Sequence, residues 1–82
     1  MTPDLVSAEY AGGYRVRLVY EDGTCAVVDL GTELRGGVFE PLKDPAFFKS
    51  FRLTEGRETI EWPNGADFAP EFLYEKANAP RS

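Results

Sequence analysis

The sequence has no histidine and only one cysteine, and its lysine and arginine residues number 9 among 82. Without histidine, Ser–His and Cys–His nucleophilic systems and the usual zinc sites are excluded. The lone Cys25 cannot form a disulfide within the chain, which fits a reducing compartment. Any catalysis would therefore have to use carboxylates, lysine, tyrosine or this single thiol.

Basic clusters and long apolar runs are also missing. Proteins that bind nucleic acids gain most of their affinity by neutralising phosphates, and this chain has no group of basic residues for that purpose. No stretch approaches the ~18 apolar residues that span a bilayer, and the N-terminus lacks a signal-peptide pattern. We therefore expect a cytoplasmic protein that by itself binds neither nucleic acid nor membrane.

The residues that are present indicate a small folded protein with an acidic surface. Apolar residues make up 43% of the chain and aromatic residues 13%, unlike a disordered sequence. A length of 82 residues fits one domain, which we place at residues 1–76, with a flexible tail at 77–82. Because the net charge is −5, a basic protein is the natural electrostatic partner.

The first third of the chain predicts a meander of antiparallel strands. Residues 14–20, YRVRLVY, alternate between an apolar face and a face that carries Arg15 and Arg17. The segments 4–10 and 24–30 predict two further strands, and EDG before the last strand suits a hairpin turn. We therefore expect a three-stranded antiparallel sheet at the start of the fold.

The rest of the chain predicts short helices and a second hairpin. Asp44 and Pro45 suit the N-cap and first position of a short helix, and Pro70 suits the start of a C-terminal helix. Residues 40–42 are expected to be extended or turning, and residues 51–62 to form the hairpin. The expected fold is a small single α+β domain. Its main core is expected to consist of aromatic side chains: Phe47, Phe48, Phe51, Trp62, Phe68 and Phe72.

The segment TIEWPNGADFAPEFLYEK, residues 59–76, is the most concentrated motif in the chain. Trp62 supplies core volume, the residues Pro-Asn-Gly suit a tight turn, and Glu71 suits the positive end of a helix. We interpret the motif mainly as a junction between a strand and a helix. The candidate junction or interaction residues are Trp62, Asn64, Gly65, Asp67 and Glu71.

Two functional alternatives for this junction remain open. Asn64 and Asp67 could form a polar recognition patch. Asp67, Glu71 and Glu75 could instead bind a divalent cation or perform acid–base chemistry, although helix starts also attract acidic residues for electrostatic reasons alone. We predict no catalytic residue, no metal ligand and no cofactor.

The polar face of the predicted meander offers a second candidate surface. Arg15 and Arg17 are expected to pair across strands with Asp29 or Glu9, or else to contact an acidic partner. Cys25 shares this face, but no histidine is available to activate its thiol. We therefore interpret Cys25 as a small strand residue.

Three motifs together resemble a known family. They are V-X-L-X-Y-E-D-G-T followed by V-D-L, then PLKDPAFF, then TIEWPNGADFAPEFLY, and the overall match extends from about Leu5 to Lys76. This pattern is similar to the bacterial family catalogued as domain of unknown function 2442. Similar sequences often have Ser, Cys or Asp where this chain has Ala69, so the C-terminal helix is expected to lack a side-chain cap unless Asp67 supplies one.

The resemblance implies a small α+β fold of antiparallel strands and short helices, without an established activity. It also implies a second small protein encoded nearby, in an arrangement like that of a toxin–antitoxin pair. Our leading hypothesis is a non-catalytic protein-binding module, either antitoxin-like or accessory, and weak homo-oligomerisation stays open. The alternative is a metal-binding protein or enzyme that uses carboxylates at Asp67 and Glu71.

Overall fold

A computed structural model gives the fold and describes residues 2–79. Its first sheet has three strands in sequence order, and neighbouring strands are antiparallel. These are β1 (Leu5–Tyr10), β2 (Arg15–Tyr20) and β3 (Cys25–Asp29). The predicted meander is confirmed, because the alternating pattern of β2 places one face against the core and the other towards solvent.

The turn between β2 and β3 has the chemistry that the EDG motif predicts. Gly23 adopts a φ of 92° and donates its backbone N–H to the Tyr20 carbonyl at 3.1 Å. Asp22 accepts a hydrogen bond from the backbone N–H of Thr24 at 2.9 Å. A glycine tolerates this positive φ because it has no Cβ, so the sharp reversal costs little strain.

Short helices connect the two sheets of the fold. Two 3₁₀ helices (Gly31–Glu33 and Gly37–Lys43) precede α1 (Pro45–Phe48). Asp44 caps α1 as predicted, since its carboxylate accepts a hydrogen bond from the Ala46 N–H at 3.1 Å. Residues 40–42, which were expected to be extended or turning, belong to the second 3₁₀ helix, so the extended alternative is wrong.

The reason lies in the contacts that hold the second 3₁₀ helix. Gly36 adopts a φ of 70° before this helix, and its backbone N–H donates to the Glu40 carboxylate at 3.0 Å. Lys43 forms an ion pair with the same carboxylate at 3.2 Å. The two contacts lower the pKa of Glu40 below its usual value, with the backbone hydrogen bond as the larger cause. They offset the preference of a residue before proline for extended backbone.

The second half of the fold contains a small hairpin and the C-terminal helix, both as predicted. β4 (Arg52–Leu53) pairs antiparallel with β5 (Ile60–Glu61), and α2 extends from Pro70 to Asn78. The fold is therefore α+β. The expected tail begins at residue 77, where α2 is still helical, and residues 80–82 lie outside the described part. Within residues 2–79, no helix has the length and apolar character needed to cross a membrane.

The core is less aromatic than the sequence predicts. Phe48, Trp62 and Phe68 are buried, but Phe47, Phe51 and Phe72 are only partly buried against them. Aliphatic side chains from the strands and the connecting segment fill the remaining space, since β1, β2, β3 and β5 each contribute at least one buried aliphatic residue. The buried aliphatic residues are Leu5, Val16, Leu18, Val28, Leu30, Leu34, Leu42, Ile60, Ala66 and Leu73.

Tyrosine side chains connect distant parts of this core. Tyr74 of α2 donates its hydroxyl to the Asp22 carboxylate in the β2–β3 turn, and Tyr14 donates to the Lys43 carbonyl. The Tyr20 ring lies edge-on to the Tyr74 ring, with centroids 4.9 Å apart. The buried Tyr20 hydroxyl, in contrast, has no hydrogen-bond partner among the described residues.

Helix α2 begins without a side-chain cap. Its N-cap residue, Ala69, has extended backbone angles (φ −61°, ψ 137°), and no side chain, including that of Asp67, accepts a hydrogen bond at this end. The first N–H groups of the helix therefore lack the protein acceptor that Ser, Thr or Asp would provide.

We expect Ala69→Ser to raise the free energy of unfolding by about 1 kcal/mol, because the new hydroxyl would accept one of these N–H groups. Urea denaturation followed by circular dichroism measures the change. Ala79→Ser, at the exposed C-cap of the same helix, is the matched control and should leave stability unchanged within about 0.5 kcal/mol. Equal effects of the two substitutions would contradict the capping argument.

Removal of a hydroxyl is predicted to have different effects at Tyr14, which directly precedes β2, and at Tyr20, the last residue of β2. Tyr14→Phe should lower the free energy of unfolding by about 1 kcal/mol, because the hydrogen bond to Lys43 is lost. Tyr20→Phe should be neutral or stabilising, because the hydroxyl it removes is buried without a partner. Denaturation of both variants at pH 7 compares them, and destabilisation by Tyr20→Phe alone would contradict this assignment.

The pH dependence of stability provides an independent check on Tyr20. Burial, followed by the nearby charges of Tyr74 and Asp22, raises the pKa of Tyr20 from 10.0 to about 12. This group's contribution to stability is complete below pH 10 and is lost as the pH rises towards 12. Wild-type protein should therefore lose more stability than Tyr20→Phe between pH 9 and 11, measured by denaturation across that range.

Candidate functional site

Trp62 lies at the centre of the junction and is buried, with 2% of its surface exposed. Its indole Nε1–H donates to the backbone carbonyl of Phe48 at 2.7 Å. The indole also packs against three phenylalanine rings with centroid distances of 5.8 to 6.0 Å; these are Phe48, Phe51 and Phe68. Both the apolar surface and the polar N–H of Trp62 therefore serve the fold.

The turn after Trp62 is a tight reversal in which Asn64 makes two hydrogen bonds. The Asn64 side-chain oxygen accepts from the Ala66 backbone N–H at 3.1 Å, and its amide nitrogen donates to the Val38 carbonyl at 2.8 Å. Gly65 takes a φ of 90° and donates to the Trp62 carbonyl at 3.0 Å. Asn64 thus stabilises the turn and fastens it to the second 3₁₀ helix.

The chain beyond this turn contains a feature that the sequence analysis missed. It doubles back along β5 before α2 begins, because Trp62 donates its backbone N–H to the Ala66 carbonyl at 2.8 Å and Glu61 pairs with Asp67 in an antiparallel bridge. The junction is therefore a hairpin turn followed by a helix. Tight turns of this length are typical hairpin connections, so the Pro-Asn-Gly signal could have predicted the reversal.

The acidic residues of the junction lie on its exposed side. Asp67, Glu71 and Glu75 are all exposed, and none of their carboxylates has a hydrogen-bond or ion-pair partner among residues 2–79. No group of three or more acidic or cysteine side chains in the described part of the chain is arranged to hold a metal ion. Within the junction, Trp62 and Asn64 therefore form hydrogen bonds that stabilise the fold, whereas these carboxylates lie in solvent.

The arginine face lies on the outer side of the first sheet, apart from the junction. Arg17 forms an ion pair with Glu9 at 3.4 Å, so the predicted cross-strand pairing is confirmed for that residue. Arg15 faces Asp29 in the strand register but instead donates to the Gly12 carbonyl at 3.4 Å. Exposed ion pairs of this kind contribute little to stability, about 0–1 kcal/mol each.

The Asp29 carboxylate and Cys25 complete this outer face. Asp29 accepts a hydrogen bond from the Gly31 backbone N–H at 2.9 Å and forms no ion pair with the arginine opposite. Cys25 is a free, exposed cysteine opposite Val19. The face mixes cations, anions and small apolar side chains.

The comparisons with known proteins identify the family but add no activity. The family described as "Protein of unknown function (DUF2442)" matches residues 5–79. Because the match covers nearly the whole chain, the protein belongs to this family, as the sequence motifs indicated. No curated protein and no solved structure matches the chain.

The two hydrogen bonds of Asn64 make it the most informative junction residue to change. We expect Asn64→Ala to lower the free energy of unfolding by about 1–2 kcal/mol, because both bonds are lost. Asn64→Asp retains the acceptor for Ala66 and should lose about half as much. Thermal and urea denaturation measure both changes.

The matched control is Asn78→Ala. The Asn78 amide donates one hydrogen bond, to the Tyr74 carbonyl at 3.0 Å, at the exposed end of α2. Its removal should cost no more than about 0.5 kcal/mol. If Asn64→Ala were no more destabilising than this control, the structural role of Asn64 would be disproved.

Proposed function

We propose that this protein is an acidic, non-catalytic protein-binding module that acts by contact with a basic protein. Its junction residues support this proposal, because Trp62 and Asn64 already use their polar groups within the fold. Neither side chain is left with a strained or activated group that a reaction would need. What remains available to other molecules is mainly charged surface.

The observation that carries the proposal is the division of the carboxylates into paired and unpaired sets. Some are occupied by cations or by turns and caps within the fold; these are Glu9, Asp22, Asp29, Glu33, Glu40, Asp44 and Glu61. Others have no such partner among the described residues; these are Asp4, Glu21, Glu55, Glu58, Asp67, Glu71 and Glu75.

The unpaired carboxylates favour a basic macromolecular partner for an electrostatic reason. The net charge is −5, so the field of the protein attracts cations and repels phosphate-bearing nucleic acids and anionic membranes. Complementary charge raises the rate of association and selects the correct partner more than it raises affinity. A basic protein is the partner that best fits this surface.

The gene arrangement implied by the family resemblance suggests which partner to test. We infer an antitoxin-like or accessory role in a two-protein system, with the small protein encoded beside this chain as the partner. An acidic partner of this kind would neutralise a basic protein by covering its charged surface. The mechanism requires binding alone and no chemical step.

The proposal predicts a complex between this protein and the neighbouring gene product. We expect the two to co-elute after co-expression with a tag on this chain, and the complex to weaken severalfold when salt rises from 0.05 to 0.5 M. Size-exclusion chromatography with light scattering measures the stoichiometry. Pull-down from the source lysate, analysed by mass spectrometry, tests for other partners.

The double variant Asn64→Ala with Asp67→Ala is run beside wild type after its folding is checked. If the variant retains the complex, the proposed binding function stands and the junction has only a structural role. The proposed function would be contradicted if the protein stayed monomeric beside the neighbouring gene product and captured no protein from the lysate.

A further inference from the structure

Three phenylalanine rings form a stacked row between the second 3₁₀ helix and α2. Phe39 stacks on Phe68 with centroids 5.1 Å apart and planes inclined by 25°, and Phe68 stacks on Phe72 at 5.6 Å and 22°. The central ring, Phe68, is only 7% exposed. The two outer rings are partly buried, so each keeps part of its surface accessible.

Val38 precedes Phe39 in the second 3₁₀ helix and is exposed. Its side chain is 49% exposed, the largest exposure among the large hydrophobic side chains of the described residues. The hydrogen bond from Asn64 to the Val38 carbonyl fixes the backbone at this position. We group the exposed Val38 with the partly buried Phe39 and Phe72 and call these three side chains the aromatic-row surface.

Negative charge borders the aromatic-row surface on α2. Glu75 lies three residues after Phe72 and is therefore its neighbour on the helix surface, and Glu71 lies four residues before Glu75. Both carboxylates are exposed and without a partner among the described residues. The one lysine of α2, Lys76, faces Glu33 at 3.7 Å, so it does not neutralise the pair.

This pair of carboxylates is unfavourable for the helix itself. Like charges four residues apart in a helix repel, and each contributes a small destabilisation. A cation on a bound molecule would remove the repulsion while its apolar neighbour covered the aromatic row. The surface therefore combines apolar side chains that ring stacking holds in place with two carboxylates that have no cationic partner among the described residues.

We propose that the aromatic-row surface, together with Glu71 and Glu75, binds a segment of the partner protein in which an apolar side chain is flanked by lysine or arginine. The inference rests on the proposed function and specifies where on the molecule the partner binds. Val38, Phe39 and Phe72 contact the apolar side chain, and the two glutamates pair with the flanking cations. Nucleic acids are disfavoured because their phosphates would meet the same carboxylates.

A synthetic peptide tests this surface without the natural partner. The probe is a short capped peptide of alternating lysine and leucine, titrated at low salt into isotope-labelled full-length protein and followed by NMR. We expect shifts centred on the Val38 methyl groups and on Phe39 and Phe72. A peptide of alternating glutamate and leucine, equally apolar but negative, should cause no saturable shifts.

Variants with matched controls separate this surface from general acidity. Val38→Ser and the pair Glu71→Gln with Glu75→Gln should each weaken binding of the lysine–leucine peptide about three- to tenfold. The controls are Val6→Ser, at a β1 position of 48% exposure, and the pair Glu55→Gln with Glu58→Gln in the β4–β5 turn. Each control should change the affinity less than twofold.

The surface assignment would be overturned by no saturable binding, by shifts centred on other carboxylates, or by equal losses in variants and controls. The proposed function is contradicted by a different result, namely that co-expression and pull-down give no complex. If a natural complex does form, the same variants decide whether it uses this surface. Loss of the complex only in the control variants would place the contact elsewhere and reject the assignment.

Discussion

The hydrogen bond from the Trp62 indole to the Phe48 carbonyl ties the second hairpin to the helical segment that connects the two sheets. It joins the end of the second hairpin to the end of α1, and it lies in a buried site where water is not available to replace it. An unpaired N–H and carbonyl in such a site would cost about 1–3 kcal/mol each. The aromatic rings around the indole exclude water from this site. Their packing is therefore favourable only while the indole N–H and the carbonyl are bonded to each other.

Asn64 extends the same connection to the surface. Its amide fastens the turn after Trp62 to the second 3₁₀ helix at Val38, and the next residue, Phe39, stacks on Phe68. The polar groups of Trp62 and Asn64 are thus explained by folding. Function must accordingly be sought in the side chains that the fold does not use, chiefly the unpaired carboxylates and the apolar surface beside them.

Local chemistry made much of this architecture predictable. The alternation of β2, the glycine turn before β3 and the Asp44 cap each involve residues within a few positions of one another, so their signals are readable in the sequence. The same holds for Asn64 and Gly65, whose turn was predicted although the hairpin pairing beyond it was missed. These elements agree with the structure because local preference and tertiary packing favour the same conformation.

The features that escaped prediction depend on contacts between distant residues. Tyr74 meets Asp22, and Tyr14 meets Lys43, across long stretches of chain that no short motif connects. The second 3₁₀ helix was missed because the rule for residues before proline was applied without the Glu40 contacts that offset it. The core was expected to be mainly aromatic because composition counts rings, whereas burial is decided by where each residue lies in the fold and which way its side chain faces.

Helix α2 illustrates how stability and binding can be coupled in so short a chain. Its nine residues are too few for an isolated helix to be stable, its N-cap is an alanine, and Glu71 and Glu75 repel each other. The helix is therefore held by tertiary contacts, through buried Leu73 and the Tyr74 hydroxyl. A cationic partner would relieve the repulsion between the glutamates only while they lie one helical turn apart. Binding at this position would consequently stabilise α2, and any change that stabilised α2 would in turn favour binding.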